Sequence, residues 1–184
     1  KTGSYYTPPE IVTAMVRLSH EALQTRFKLH EGFASADVKV ADPAVGTGTF
    51  LLGVLRKIAE TATADGGEGM VPGAVESALK RAIGFEIQFG PFAVAQLRLL
   101  AEIAELTEKD PKKAVDATLR LYVADTLADP DEETAWIPAS LKPIAESRRA
   151  ANAVKRTEPI TVVIGNPPYK VKSKGLGGWV EDRG

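Results

Sequence analysis

Asn166-Pro167-Pro168-Tyr169 is the segment whose residue types and order bear most directly on chemistry. Prolines carry no backbone N–H and hold φ nearly fixed, so the carbonyls around them point in set directions and a group bound there meets acceptors only. The Asn166 side-chain oxygen and the Pro167 carbonyl can each accept one hydrogen of a planar NH2 group, and the Tyr169 ring offers a face on which a base can stack. A proline turn with an incidental tyrosine is the alternative.

Three further segments suit a nucleotide-like ligand. In Asp42-Pro43-Ala44-Val45-Gly46-Thr47-Gly48-Thr49-Phe50, two glycines one residue apart let the backbone turn tightly against a ligand and then open a helix. The Gly-Lys-Ser/Thr ending of a P-loop and the third glycine of a dinucleotide fingerprint are both missing. A glycine turn without a ligand stays open as a reading. Downstream, Glu86 of Gly84-Phe85-Glu86-Ile87 could accept hydrogen bonds from vicinal ribose hydroxyls, or be a solvated strand end. Asp125 of Val123-Ala124-Asp125-Thr126-Leu127 could accept from the amine of an adenine ring, or cap a turn.

These groups must be carried to one place, and the apolar pattern says how. Four β-branched, apolar stretches, Val38 to Ala41, Ala82 to Glu86, Leu119 to Ala124 and Ile160 to Ile164, alternate with helical patterns. That alternation predicts a parallel sheet covered by helices. Each segment above sits at the end of one of the four strands, where ligands bind in open α/β sheets. A helix is expected over Pro9 to Phe27, with Ile11, Met15, Leu18 and Ala22 facing inward, and a second along Phe50, Leu51, Val54, Leu55 and Ile58. A third should run from Pro91 to Leu106 with Val94, Leu97, Leu100 and Ile103 inward. Ala64 to Gly69 and the acidic run Asp129 to Glu133 are expected to be loops, and His20 and His30 to lie on helix surfaces.

With 184 residues, 44% of them hydrophobic and 26% charged, the chain has the composition of one globular domain, which excludes disorder and membrane spanning. No apolar run approaches the roughly 20 residues a bilayer needs, and Lys1-Thr2-Gly3-Ser4 lacks a signal-peptide pattern, so a cytoplasmic protein is expected. Without cysteine, and with two histidines, no metal centre is expected. The formal net charge of −1 is not that of a protein gripping duplex DNA unaided. The chain also begins without Met and stops shortly after the Asn-Pro-Pro-Tyr segment, so it is read as part of a longer protein.

Taken together, these motifs resemble the amino-group methyltransferases that act on DNA adenine, over Gly3 to Tyr169. The resemblance implies a Rossmann-like, S-adenosylmethionine-dependent α/β fold, present here as its first four parallel strands with flanking helices. Asp42 to Phe50 is similar to the cofactor loop, implying contacts from Asp42, Ala44, Gly46, Thr47, Gly48, Thr49 and Phe50. Glu86, with Ile87, matches the ribose-binding acid and its neighbour; Asp125, with Thr126, matches the adenine-contacting acid. Asn166, Pro167, Pro168 and Tyr169 match the catalytic motif, Asn166 also bordering the cofactor. Gly3 to Pro9 is similar to the segment that precedes the glycine loop in this group, which makes Thr7 a contact to the methionine end, with Tyr5 and Tyr6 beside it.

The same resemblance divides the chain into residues 1–37, an N-terminal cofactor segment and helix; 38–169, the cofactor-binding and catalytic core; and 170–184, a mobile loop whose Lys170, Lys172 or Lys174 could touch phosphate. The family sheet normally has seven strands, so later strands and the target-recognition region are expected elsewhere in the parent chain, in a bacterial or archaeal restriction-modification or phage-defence setting. An incomplete sheet could leave an open edge through which this part self-associates. Double-stranded DNA would be engaged through the full-length protein. Three alternatives remain: a protein-glutamine N5 methyltransferase, which shares Asn-Pro-Pro-Tyr; an RNA guanine-amine methyltransferase; and a non-catalytic S-adenosylmethionine-binding module. Methylation of cytosine N4 is disfavoured because that group more often has Ser at the position of Asn166.

Overall fold

The structure is a computed structural model that describes residues 7–108, 119–131 and 141–167. Its strands are β1 (Val40–Asp42), β2 (Ala82–Glu86), β3 (Arg120–Val123) and β4 (Val162–Val163), and its α-helices are α1 (Pro9–Thr25), α2 (Thr49–Gly66), α3 (Val71–Leu79), α4 (Phe89–Thr107) and α5 (Lys142–Thr157). The strands form one sheet in the order β3-β2-β1-β4, with every pairing parallel. No described helix is long and apolar enough to cross a membrane.

Alternation along the strands sends side chains to two covered faces. Val40 joins a core built with Val12 and Val16 of α1, Leu51 and Leu55 of α2, Val75 of α3 and Leu99 of α4. Ala41, Ile83 and Phe85 face the other way, against Ala151 and Val154 of α5. Among the described residues, four helices cover one face of the sheet and one covers the other. Pro9 opens α1 directly after Pro8, a position where the missing N–H has no helical partner to lose.

Strand β2 has the expected bounds, whereas β1 lies two residues later at its start and one at its end, β3 is trimmed to Arg120–Val123 and β4 to Val162–Val163. The inward faces of two helices differ from expectation. In α1 the buried residues are Val12, Val16, His20 and Leu23, while Ile11 and Leu18 are 50% and 56% exposed and Met15 also faces out. Both stripes have helical spacing, and the choice is made by α2: a Cβ on Gly53 would stand 3.2 Å from Val12 and from Val16. The missing side chain lets α1 lie close on that stripe. In α4 the buried set is Ala95, Leu99, Ile103, Ala104 and Thr107, with Leu97 69% exposed and Val94 outward too. Here Ala95 packs on Gly48, whose added Cβ would lie 3.4 Å from it.

His20 is buried rather than on a surface. Its ring fills the space over Gly32, its Nδ1 accepts the Phe33 N–H at 3.4 Å, and burial lowers its pKa with help from Lys57. His30 is exposed but lies outside the helix. Helix α1 stops at Thr25, short of Phe27, and α4 begins at Phe89, before Pro91. The stretch expected as a loop at 64–69 instead continues α2 to Gly66 and enters a 3-10 turn at Glu68–Met70. Asp129 to Asp131 is a turn, its Asp131 N–H donating to the Asp129 carboxylate; residues 132 and 133 lie outside the described residues. Helices α3 and α5 had no expectation attached. The α5 contacts are mostly alanines, too small to mark an apolar stripe.

Candidate active site

Parallel pairing brings the carboxyl ends of all four strands to one edge. Because β2 and β3 continue to one side of β1 and β4 lies on the other, the strand order reverses between β1 and β4. Open α/β sheets bind ligands in the crevice at such a switch point. Its walls are the loop after Asp42 on one side and Gly165-Asn166-Pro167 on the other.

Gly46 and Gly48 have φ of 54° and 86°, a left-handed conformation that glycine takes without strain. Around the Gly46 Cα a side chain would meet nothing nearer than the Ala44 carbonyl at 3.8 Å, so this part of the loop is open to a ligand. The Gly46 N–H donates to Glu86 Oε2 at 2.9 Å, and the Gln88 N–H donates to Glu86 Oε1 at 2.8 Å. Glu86 is 8% exposed, and these two backbone donors fix its carboxylate while each oxygen keeps a lone pair for a hydroxyl.

Asp42 is fully buried at the end of β1. Its Oδ1 accepts the Ala44 N–H at 3.0 Å, and its Oδ2 has no hydrogen-bond partner among the described residues. Burial pushes its carboxyl up to about 7, against the Ala44 hydrogen bond and with the Glu86 charge adding to the rise. Gly165 passes directly over it, since a Cβ there would lie 2.4 Å from Asp42 Oδ1. Only a glycine lets the turn before Asn166 approach the first strand this closely.

Asn166 is exposed beyond β4, and its Nδ2 donates to the Thr7 Oγ1 at 3.1 Å across 159 positions of sequence. The structure therefore brings Thr7, just ahead of α1, to Asn166. Tyr5, Tyr6, Pro168, Tyr169, Lys170, Lys172 and Lys174 lie outside the described residues.

Asp125 is exposed at the tip of β3, and its Oδ1 accepts the Leu127 N–H at 2.9 Å. One oxygen thus caps a local turn, as the sequence allowed, and the carboxylate keeps acceptor capacity outward. The Thr126 hydroxyl donates to the Pro43 carbonyl at 2.5 Å, tying the third strand tip to the first. Ile87 is 59% exposed beside Glu86. Phe50 is a core side chain, and the Thr47 and Thr49 hydroxyls are turned toward α4.

What they meet there is Arg98, whose guanidinium donates to the Thr47 carbonyl at 2.8 Å and approaches the Thr47 and Thr49 hydroxyls at 3.0 and 3.4 Å. Lys155 of α5 donates to the carbonyls of Asp125 and Ala128 at 2.7 and 3.0 Å. Burial lowers its pKa, while Asp125 and Asp129 oppose that. Neither residue was singled out from sequence. Each braces a loop distant along the chain, and no local pattern announces such a contact.

A glycine loop, acids at the next two strand tips and an amide-bearing turn across the switch point define a Rossmann-like α/β domain of the methyltransferase kind. The chain belongs to the N-6 DNA methylase family, whose model matches residues 1–178. Among solved structures it is similar to the ATP-dependent Type ISP restriction-modification enzyme LlaBIII bound to DNA, with 25% identity and a TM-score of 0.72 over 95% of this chain and 11% of that one. It is also similar to a nuclease-deletion mutant of the Type ISP enzyme LlaGI in complex with a DNA substrate mimic, with 25% identity and a TM-score of 0.71 over 91% of this chain and 13% of that one. The DrdV–DNA complex matches in fold, with 24% identity and a TM-score of 0.68 over 94% of this chain and 15% of that one. No curated protein sequence matches. The chain therefore spans between 11% and 15% of the length of these three proteins.

The family implies a methyl donor, and the residues present fit one that carries a nucleoside. Glu86 offers fixed acceptors to a ribose, the open face of Gly46 lets a ligand come against the backbone, and Asp42 Oδ2 is a buried acceptor still lacking a donor.

Proposed function

We propose that this chain is the cofactor-binding and catalytic part of an S-adenosylmethionine-dependent enzyme that methylates N6 of adenine in DNA. The observation that carries the reading is the Asn166 amide at the switch point, beside the Asp42–Gly165 contact and one strand from the Glu86-anchored glycine loop. The family match supports DNA adenine over glutamine or guanine as the acceptor.

S-adenosylmethionine, when bound, supplies an electrophilic sulfonium methyl group. Gly46, Glu86, Ile87 and Asp125 would hold its nucleoside, and Asp42 and Thr7 border its amino-acid end. Adenine N6 is a weak nucleophile because its lone pair is delocalised into the ring. Asn166 Oδ1 and the Pro167 carbonyl would take one amine hydrogen each, which favours a pyramidal nitrogen whose lone pair points at the methyl group. The contribution of the protein is positioning and electrostatics, with no covalent enzyme intermediate. The target base must leave the duplex stack, at a cost of a few kcal/mol, and stacking on Tyr169 would return about 1–3 kcal/mol.

The division at residues 37 and 169 belongs to the same proposal, as do DNA recognition by other regions of the parent protein and a role in a bacterial or archaeal restriction-modification system in the cytoplasm. The test is identification of the methylated product. Full-length protein is incubated with labelled cofactor and either unmodified duplex DNA or an acceptor protein, and the digest is resolved by mass spectrometry. N6-methyladenine supports the reading, and N5-methylglutamine as the sole product defeats it.

A further inference from the structure

We infer that Thr7 is a positioning residue for the catalytic amide: its hydroxyl holds Asn166 so that the side-chain oxygen, and not the nitrogen, faces the substrate amine. The inference rests on the functional reading of Asn166 given above. The two ends of an asparagine amide are nearly equal in shape, and Asn166 is exposed, so packing alone does not choose between them. A reversed amide would set NH2 against NH2, two donors facing each other. In the structure the Nδ2 is occupied by the Thr7 Oγ1 at 3.1 Å, and among the described residues nothing bonds Oδ1. Thr7 is half-buried immediately before the Pro8-Pro9 start of α1, on a backbone stiffened by two prolines. This role differs from the contact to the methionine end that the sequence resemblance implies for the same residue.

A hydroxyl can also donate, in which case Thr7 would consume the oxygen and leave Nδ2 free; the experiment separates these cases. Asparagine-selective nitrogen labelling of the full-length protein reports the Asn152 and Asn166 side-chain amides, each assigned as the signal lost on its replacement by alanine. The expected result is that Thr7→Val speeds exchange of an Asn166 Nδ2 proton with water about fivefold, the scale of one lost hydrogen bond. Thr7→Ser should behave as wild type and the Asn152 signal should be unchanged, which also reports that the variant is folded. With saturating DNA and S-adenosylmethionine, Thr7→Val should slow methyl transfer about fivefold and add nothing in an Asn166→Ala background. Exchange that is equal in wild type and Thr7→Val overturns the inference, as does weakened cofactor binding with an unchanged saturated rate. A wild type that methylates no adenine would sink the functional reading alone, and the exchange measurement would still decide whether Thr7 holds the amide.

Discussion

At the scale of single residues, the site separates binding from chemistry. Glu86 is fixed by two backbone N–H groups and ends β2, which β1 separates from β4 and Asn166, so the two should fail differently. Asn166→Ala is expected to lower methyl transfer about a hundredfold or more, the scale of losing one preorganised polar contact to a transition state, with cofactor affinity unchanged in a binding titration. Glu86→Ala should do the reverse, weakening cofactor binding about ten- to a hundredfold through loss of charge-assisted hydrogen bonds. Gly165→Ala probes the turn between them: a methyl group placed 2.4 Å from Asp42 Oδ1 should cost about 1–3 kcal/mol of stability, read as a lowered denaturation midpoint.

At the scale of elements, the strands were legible and the helix faces were not. Short β-branched runs such as Ala82–Glu86 have few readings, and the chemistry sits where they end. Helix α1 carries two apolar stripes one residue apart, Ile11-Met15-Leu18 and Val12-Val16-Leu23, and periodicity cannot choose between them. The choice depends on Gly53, far along the chain, which makes room for Val12 and Val16. The expected consequence is a contrast within one helix: Val16→Ala costs about 2 kcal/mol, whereas Leu18→Ala stays within about 0.5 kcal/mol, both by denaturant titration. Equal costs would contradict the rotation of α1. For the candidate site, Asp42, Gly46, Glu86, Asp125 and Asn166 could be picked out because each terminates or follows a strand. Arg98 and Lys155 could not, since what they brace is set by how α4 and α5 pack against distant loops. The Thr7–Asn166 contact joins two segments that sequence marked separately, and only the fold pairs them.

At the scale of the whole molecule, the site is built at a cost to stability that pH should expose. The Asp42 carboxyl is raised from 3.8 to about 7, first by burial. A raised value means that the folded state holds this proton more tightly than the unfolded chain, so its contribution is complete below about pH 4 and is lost as pH rises through about 7. Glu158 works in the opposite sense: hydrogen bonds from Lys39 and Arg120 lower its pKa, so its contribution is present at neutral pH and lost on acidification. Asp42→Asn should therefore flatten the decline in stability between pH 4 and 7 while leaving the acid limb in place, as measured by thermal melts across that range. The chain covers a small share of the proteins it resembles, so activity is best judged in the full-length protein. The most direct test of the central claim is transfer of labelled methyl from S-adenosylmethionine to unmodified duplex DNA, comparing wild type with Asn166→Ala at saturating cofactor. The account predicts N6-methyladenine from the wild type and its near-complete loss in the variant with cofactor still bound; equal transfer by the two proteins would contradict it.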